Sequence, residues 1–279
     1  MTITEQRAAT PHSAGAVPHV ELRGIAKAYP ASHGGGTTTA LAGIDLFVAP
    51  GEFVAIVGAS GCGKSTLLRM VGGFEAPTAG TLTSQGTAIT APGPDRGMVF
   101  QDYGLFPWLT VAENIGWGPR ARGLPKAQGR ARVQELVALV GLTASADRFP
   151  GQLSGGMQQR VAIARVLAND PAVLLMDEPF GALDALTRQL MQQELHKIWR
   201  ELQPAVLFVT HSVEEALFLA DRVVVLSGGP THGLPGYVRA VVDVDLAHPR
   251  DVTSPRFNDL KRELLAQVLS DEHSAAEQA

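Results

Sequence analysis

The pattern of apolar and polar residues along this 279-residue chain changes character several times. Over residues 19–25 apolar and polar positions alternate as on a half-buried strand, and residues 40–48 repeat the alternation before a Pro50-Gly51 turn. Two such strands close together predict a small antiparallel sheet at the front of the domain. Between them, the run from Gly34, Gly35 and Gly36 to Thr39 reads as a surface loop. Further on, residues 53–57, 173–176, 206–209 and 223–226 are continuous apolar runs. Runs without alternation fit parallel strands covered on both faces, and the helical stretches between them predict a mainly parallel α/β sheet. From about Gln101 to Met157 the strand signal disappears. Val133, Leu136, Val137 and Val140 share one face of a helix over 126–141, so this stretch is expected as a helical subdomain inserted into the core. Near the end, Ser254-Pro255 is an N-cap followed by proline at the first helical position. Phe257, Leu260, Leu264, Leu265 and Val268 form an apolar stripe behind it.

The domain organisation expected from this pattern is a flexible tail over 1–18, one main domain over 19–228 and a short extension over 229–279. The tail carries too little apolar surface to offset the cost of ordering. Composition then narrows the function. Lys and Arg total 23 against 27 Asp and Glu, a formal charge of -4, which argues against nucleic acid as a partner because a phosphate-backbone binder needs a basic surface. The single cysteine, Cys62, excludes an internal disulfide and fits a reducing compartment. No run approaches the roughly 20 apolar residues that span a bilayer, and the N-terminus has no signal-peptide core. The chain is therefore expected in the cytoplasm, reaching a membrane only through a partner.

Chemistry enters at Gly58-Ala59-Ser60-Gly61-Cys62-Gly63-Lys64-Ser65, which satisfies G-x-x-x-x-G-K-[ST] between a predicted strand and the helix that Thr66 continues. Glycines there let backbone amides and a helix N-terminus converge on phosphate oxygens. Lys64 is placed to reach the β- and γ-phosphates, and Ser65 to bind Mg2+. A second predicted strand ends in Asp177 and Glu178. Asp177 is a candidate to hold the metal through water, and Glu178 to act as general base on the attacking water. Ser154-Gly155-Gly156-Met157 reads, on its own, as a helix N-cap on a Gly-Gly turn.

With Leu153 before it, this last string resembles the Leu-Ser-Gly-Gly-Gln signature of the ABC transporter ATPases, with Met157 standing where that family usually has glutamine. The resemblance implies a P-loop NTPase (RecA-like) core with an N-terminal antiparallel β-subdomain and the helical signature subdomain inserted. It further implies that Tyr29 stacks on adenine, that Gln101 reaches Mg2+ and water, that Asp184 couples two sites across a dimer, and that His211 contacts the γ-phosphate. Two copies would then sandwich two ATP molecules, each site joining Lys64, Ser65, Gln101, Asp177, Glu178 and His211 of one subunit to residues 154–157 of the other.

Strings at 93–101, 105–111, 113–115 and 180–188, with the late His248-Pro249-Arg250-Asp251, resemble the nitrate, sulfonate and taurine import ATPases. That branch implies a bacterial inner membrane, permease subunits and, indirectly, a periplasmic solute-binding protein. Within it, Tyr103, Leu105, Phe106, Pro107 and Trp108 either line a groove for a cytoplasmic helix of the permease or pack inside the helical subdomain. A non-transport ABC ATPase, an exporter ATPase and a small-molecule P-loop kinase are the competing readings.

Overall fold

Alternation in the N-terminal sequence becomes strand pairing. In the computed structural model, which describes residues 17–30, 36–230 and 233–276 and the side chains through 269, β1 (Val20–Pro30) runs antiparallel to β2 (Thr37–Val48). Residues 1–16 of the expected tail, and Gly34 and Gly35 of the expected loop, lie outside the described residues. The chain divides into two compact units. The first runs to Pro92 and resumes at Ala205; the second is Gly93–Pro204.

In the first unit, β1 also pairs antiparallel with β4 (Ala79–Ser84), which carries the short β5 (Thr87–Ala88) at its side. The continuous apolar runs form the parallel part. There β3 (Phe53–Val57) lies between β8 (Ala205–Val209) and β9 (Arg222–Gly229), parallel to both. Every residue of these three strands is buried, which is why their sequences show no alternation. The Phe53 and Phe208 rings meet at 5.7 Å between centroids, and burying each such side chain contributes about 1.5–3 kcal/mol. β10 (Leu234–Asp243) pairs antiparallel with β9 and touches β2 in parallel at Gly236 and Leu41, giving the order β5-β4-β1-β2-β10-β9-β3-β8. Helices α1 (Lys64–Val71), α7 (Val213–Leu219) and α8 (Pro255–Ala276) complete the unit. The predicted stripe on α8 turns inward: Phe257, Leu260 and Leu264 are buried, Leu265 and Val268 are half-buried, and α8 packs on α7 and β9. Ser254 caps it, its hydroxyl oxygen accepting from the Phe257 amide at 3.3 Å.

In the second unit, β6 (Arg96–Val99) and β7 (Val173–Asp177) pair in parallel. Around them stand α2 (Val111–Ile115), α3 (Trp117–Ala121), α4 (Lys126–Leu139), α5 (Gly155–Leu167) and α6 (Ala185–Leu202). The expected face of α4 is inward at Leu136, Val137 and Val140, with Val133 half-buried, and no strand falls within 101–157. Thr110 opens α2 with a capping box closed by Glu113. Among the described residues no helix is long and apolar enough to cross a membrane.

Candidate active site

Ile56 of β3 pairs with Val209 of β8, and the Thr210 amide donates to the Ile56 carbonyl at 3.1 Å. The two parallel strands therefore release Gly58 and His211 from the same edge, the carboxyl end where α/β sheets hold ligands. After Gly58 the chain curls tightly. A β-carbon at Gly58 would stand 2.2 Å from the Leu226 carbonyl oxygen, and one at Gly63, whose φ is 99°, would stand 2.5 Å from Leu41 Cδ2. Only glycine passes at these points. Ser60 and Gly61 form the exposed crest of the loop, and Ala59, Ser65 and Thr66 are half-buried. Lys64 is buried, its Nζ donating to the carbonyls of Gly58 at 2.7 Å and Ala59 at 2.9 Å. The ammonium thus closes the loop on itself, at the N-terminus of α1, where the first-turn amides face outward from the helix. Cys62 points inward and is fully buried. Burial pushes its thiol pKa up, against the opposing pull of Lys64.

His211 is exposed at the tip of β8. Beneath it, the buried Thr210 hydroxyl donates to Glu215 Oε2 at 2.6 Å, and the Ser212 amide donates back to Thr210 Oγ1 at 3.0 Å. Ser212 then caps α7, its hydroxyl oxygen accepting from the Glu215 amide at 3.3 Å. Nothing in the sequence marks Glu215, a carboxylate four residues after a histidine. Tyr29, half-buried near the end of β1, is the remaining candidate of this unit; its hydroxyl donates to Glu75.

The second unit repeats the arrangement in miniature. Val99 of β6 pairs with Met176 of β7, so Gln101, Asp177 and Glu178 leave the strand pair at one end. Gln101 is exposed and both carboxylates are half-buried. Glu178 sits at φ 43°, a left-handed conformation that costs a non-glycine residue about 1 kcal/mol or more and gathers at functional sites. Ser154 caps α5, its hydroxyl oxygen accepting from the Met157 amide at 3.4 Å. Asp184 caps α6, its carboxylate accepting from the Thr187 amide at 3.0 Å, and hydrogen bonding to Thr187 lowers its pKa. Thr187 brings the two helix starts together, because a β-carbon on Gly156 would lie 2.8 Å from its methyl group. Gly155 lies equally close to Leu183 and the Tyr103 hydroxyl, 3.3 and 3.4 Å from where its β-carbon would be.

The aromatic segment divides. The Phe106 ring is half-buried, 4.8 Å from Trp117 and 5.7 Å from Trp108 between centroids, with Arg165 5.5 Å from its centre. Asn114 fixes this turn, exchanging hydrogen bonds with the Phe106 backbone and donating to the carbonyls of Leu109 and Thr110. Trp108, by contrast, is 68% exposed.

The chain is similar to known proteins. The family model described as ABC transporter matches residues 41–181. A bicarbonate transport ATP-binding protein of Synechocystis is 47% identical over 255 residues, covering 90% of this chain and 88% of that protein. A nitrate import ATP-binding protein of Synechococcus elongatus is 45% identical over 238 residues, covering 83% of this chain; the match takes in 36% of that longer protein. Among solved structures, a dimeric ATP-binding cassette in a post-hydrolysis state with ADP and Pi superposes with a TM-score of 0.69 at 33% identity, over 81% of this chain and 98% of that one. A phosphate loop, a capped Ser-Gly-Gly turn and strand-end carboxylates in this order place the chain in the ABC transporter family, as an ATP-binding subunit that hydrolyses ATP to drive transport.

Proposed function

We propose that this chain powers uptake of a small oxyanion through a separate permease, as a homodimer at the cytoplasmic face of a bacterial inner membrane. One observation supports the reading: the glycine-rich loop over residues 58–66 and the capped turn over 154–157, each of a kind suited to a phosphate, belong to separate compact units. Two copies give each ATP one device of each kind. The amides of the loop and Lys64 bind the phosphates, Tyr29 carries the adenine, and Ser154, Gly155, Gly156 and Met157 of the second copy face the γ-phosphate. Gln101 orients the attacking water, Glu178 takes its proton, and His211 holds the γ-phosphate as charge develops. Asp184 answers the other site across the dimer. The oxygen donors of Ser65, Gln101 and Asp177 suit a hard cation, and Mg2+ bound there supplies charge neutralisation on the phosphates. Trp108 offers an aromatic contact to a permease helix.

The names of the relatives favour bicarbonate or nitrate as the solute, delivered by a periplasmic binding protein; taurine and alkanesulfonates fit the same branch. Two experiments test the proposal. Sedimentation of Glu178→Gln with MgATP should give a persistent dimer without turnover, and a monomer at high concentration with ATP would overturn the shared-site reading. Deleting the gene should abolish uptake of one labelled anion among bicarbonate, nitrate and taurine, with rescue by the wild-type chain and none by Glu178→Gln. Unimpaired uptake of all three would sink the importer assignment to these solutes.

A further inference from the structure

Tyr29 is held from two directions. Its hydroxyl donates to the carboxylate of Glu75, in the turn after α1. Lys27, two residues earlier on β1, stands with its Nζ 5.0 Å from the centre of the Tyr29 ring. That ammonium is itself fixed, donating to the Ala76 carbonyl at 2.8 Å and lying 3.6 Å from Glu75. Arg69 of α1 faces the same carboxylate at 3.8 Å. One carboxylate thus gathers a hydroxyl and two cations, and the ring is gripped at its edge while a cation occupies one face.

We infer that Glu75 is a positioning residue for the adenine of ATP: it sets the plane of the Tyr29 ring and, through Lys27, leaves one face of that ring for the base. The inference rests on the reading of Tyr29 as the adenine platform. A tyrosine near a strand end must otherwise be ordered when nucleotide arrives, and that entropy is charged against binding. The Glu75 bond orders the ring beforehand. Because the grip acts on the ring and makes no contact with the base, its benefit extends to any purine that stacks. Hydrolysis is carried out by other residues, so the effect should fall on KM and spare kcat.

The test is steady-state phosphate release with MgATP and MgGTP for wild type, Tyr29→Phe, Tyr29→Ala, Glu75→Ala, Glu75→Gln and the Tyr29→Phe/Glu75→Ala double variant. Tyr29→Phe and Glu75→Ala should each raise KM about three- to tenfold for both nucleotides at constant kcat, the scale of one net hydrogen bond. The double variant should be no worse than Glu75→Ala alone, because the hydroxyl bond is already lost there. Glu75→Gln retains an oxygen acceptor and should recover most of the loss. Additive effects, or a fall in kcat, would mean that Glu75 acts as a general prop of the fold, and the inference would be withdrawn. If Glu75→Ala is unstable, Tyr29→Phe decides alone, since it leaves the ion pairs in place. Tyr29→Ala separates the two levels. Unchanged KM there removes the adenine platform itself; a raised KM there with Tyr29→Phe at the wild-type value keeps the platform and removes the role of Glu75.

Discussion

The side-chain amide of Gln101 and the carboxylate of Glu178 converge on Gly181: a β-carbon there would lie 3.5 Å from Gln101 Nε2 and 3.9 Å from Glu178 Oε2. Their strands are paired neighbours, and the Gly181 amide donates back to the Glu178 carbonyl at 3.1 Å, tightening the turn. A general base and a water-orienting amide need this proximity. Gln101→Ala should lower kcat about tenfold or more, because a misplaced nucleophile loses orientation. Glu178→Gln should lower it about a hundredfold or more. Phosphate release at saturating MgATP measures both, and wild-type turnover in either variant would remove that residue from the chemistry.

Trp108 is 68% exposed, while Phe106 beside it is braced by Trp117 and Arg165. Tryptophan is enriched among the residues that dominate protein interfaces, so an exposed ring of this size is a candidate partner contact. Trp108→Ala should change the unfolding free energy by less than about 0.5 kcal/mol and leave nucleotide affinity intact. Co-purification with the permease should fall sharply. A large loss of stability would return Trp108 to a packing role.

How far the sequence disclosed this molecule depended on what kind of neighbour each residue meets. Residues 53–57, 206–209 and 223–226 were legible as parallel strands because burial on both faces forces an apolar residue at every position. β4, β6 and β10 were not. The first, Ala-Gly-Thr-Leu-Thr-Ser, has two buried residues; the second is four residues long and begins Arg-Gly; the third carries Pro235 and Gly236 and mixes burial along its length. The phosphate loop was legible because its glycines are a local requirement. The roles of Glu75 and Glu215 come from neighbours that periodicity does not report. Met157 is tied to Ser154 by its backbone amide, so the departure from the usual glutamine leaves the cap unaffected.

Cys62 lies within the phosphate loop, which suggests a thiol that nucleotide would protect. The structure qualifies this, since the sulfur is fully buried and burial raises its pKa above the ordinary value of 9.0. Both effects slow attack, because the thiolate is the nucleophile and access requires the loop to open. In native protein at pH 7.5, a disulfide reagent should label Cys62 far more slowly than in denaturant. MgATP should slow it further. Rapid labelling of the native chain, indifferent to nucleotide, would place the sulfur at the surface and contradict the loop geometry.

Arg250, in the His248-Pro249-Arg250-Asp251 string, fastens the C-terminal extension to α7. Its guanidinium is buried and donates to four carbonyls: Leu217 at 2.6 Å, Ala220 at 2.5 Å, Val244 at 3.3 Å and Leu246 at 3.3 Å. Two of these belong to the end of α7, whose carbonyls would otherwise face the interior without partners. Burial lowers the Arg250 pKa to about 10, with nearby Asp221 opposing the shift, so the group remains charged at neutral pH. Arg250→Ala removes the donor and leaves several buried acceptors, which should cost about 2–4 kcal/mol in urea unfolding. Arg250→Lys supplies an ammonium that cannot reproduce the planar fork, and should recover only part of that loss. The comparison variant is Lys261→Ala. It breaks the α8 contact with Glu214, whose side chains are 33% and 52% exposed, and should cost less than about 1 kcal/mol. If Arg250→Ala proved no more damaging than Lys261→Ala, the extension would be held to α7 by the Phe257, Leu260 and Leu264 stripe alone, and the arginine would be dispensable for the fold.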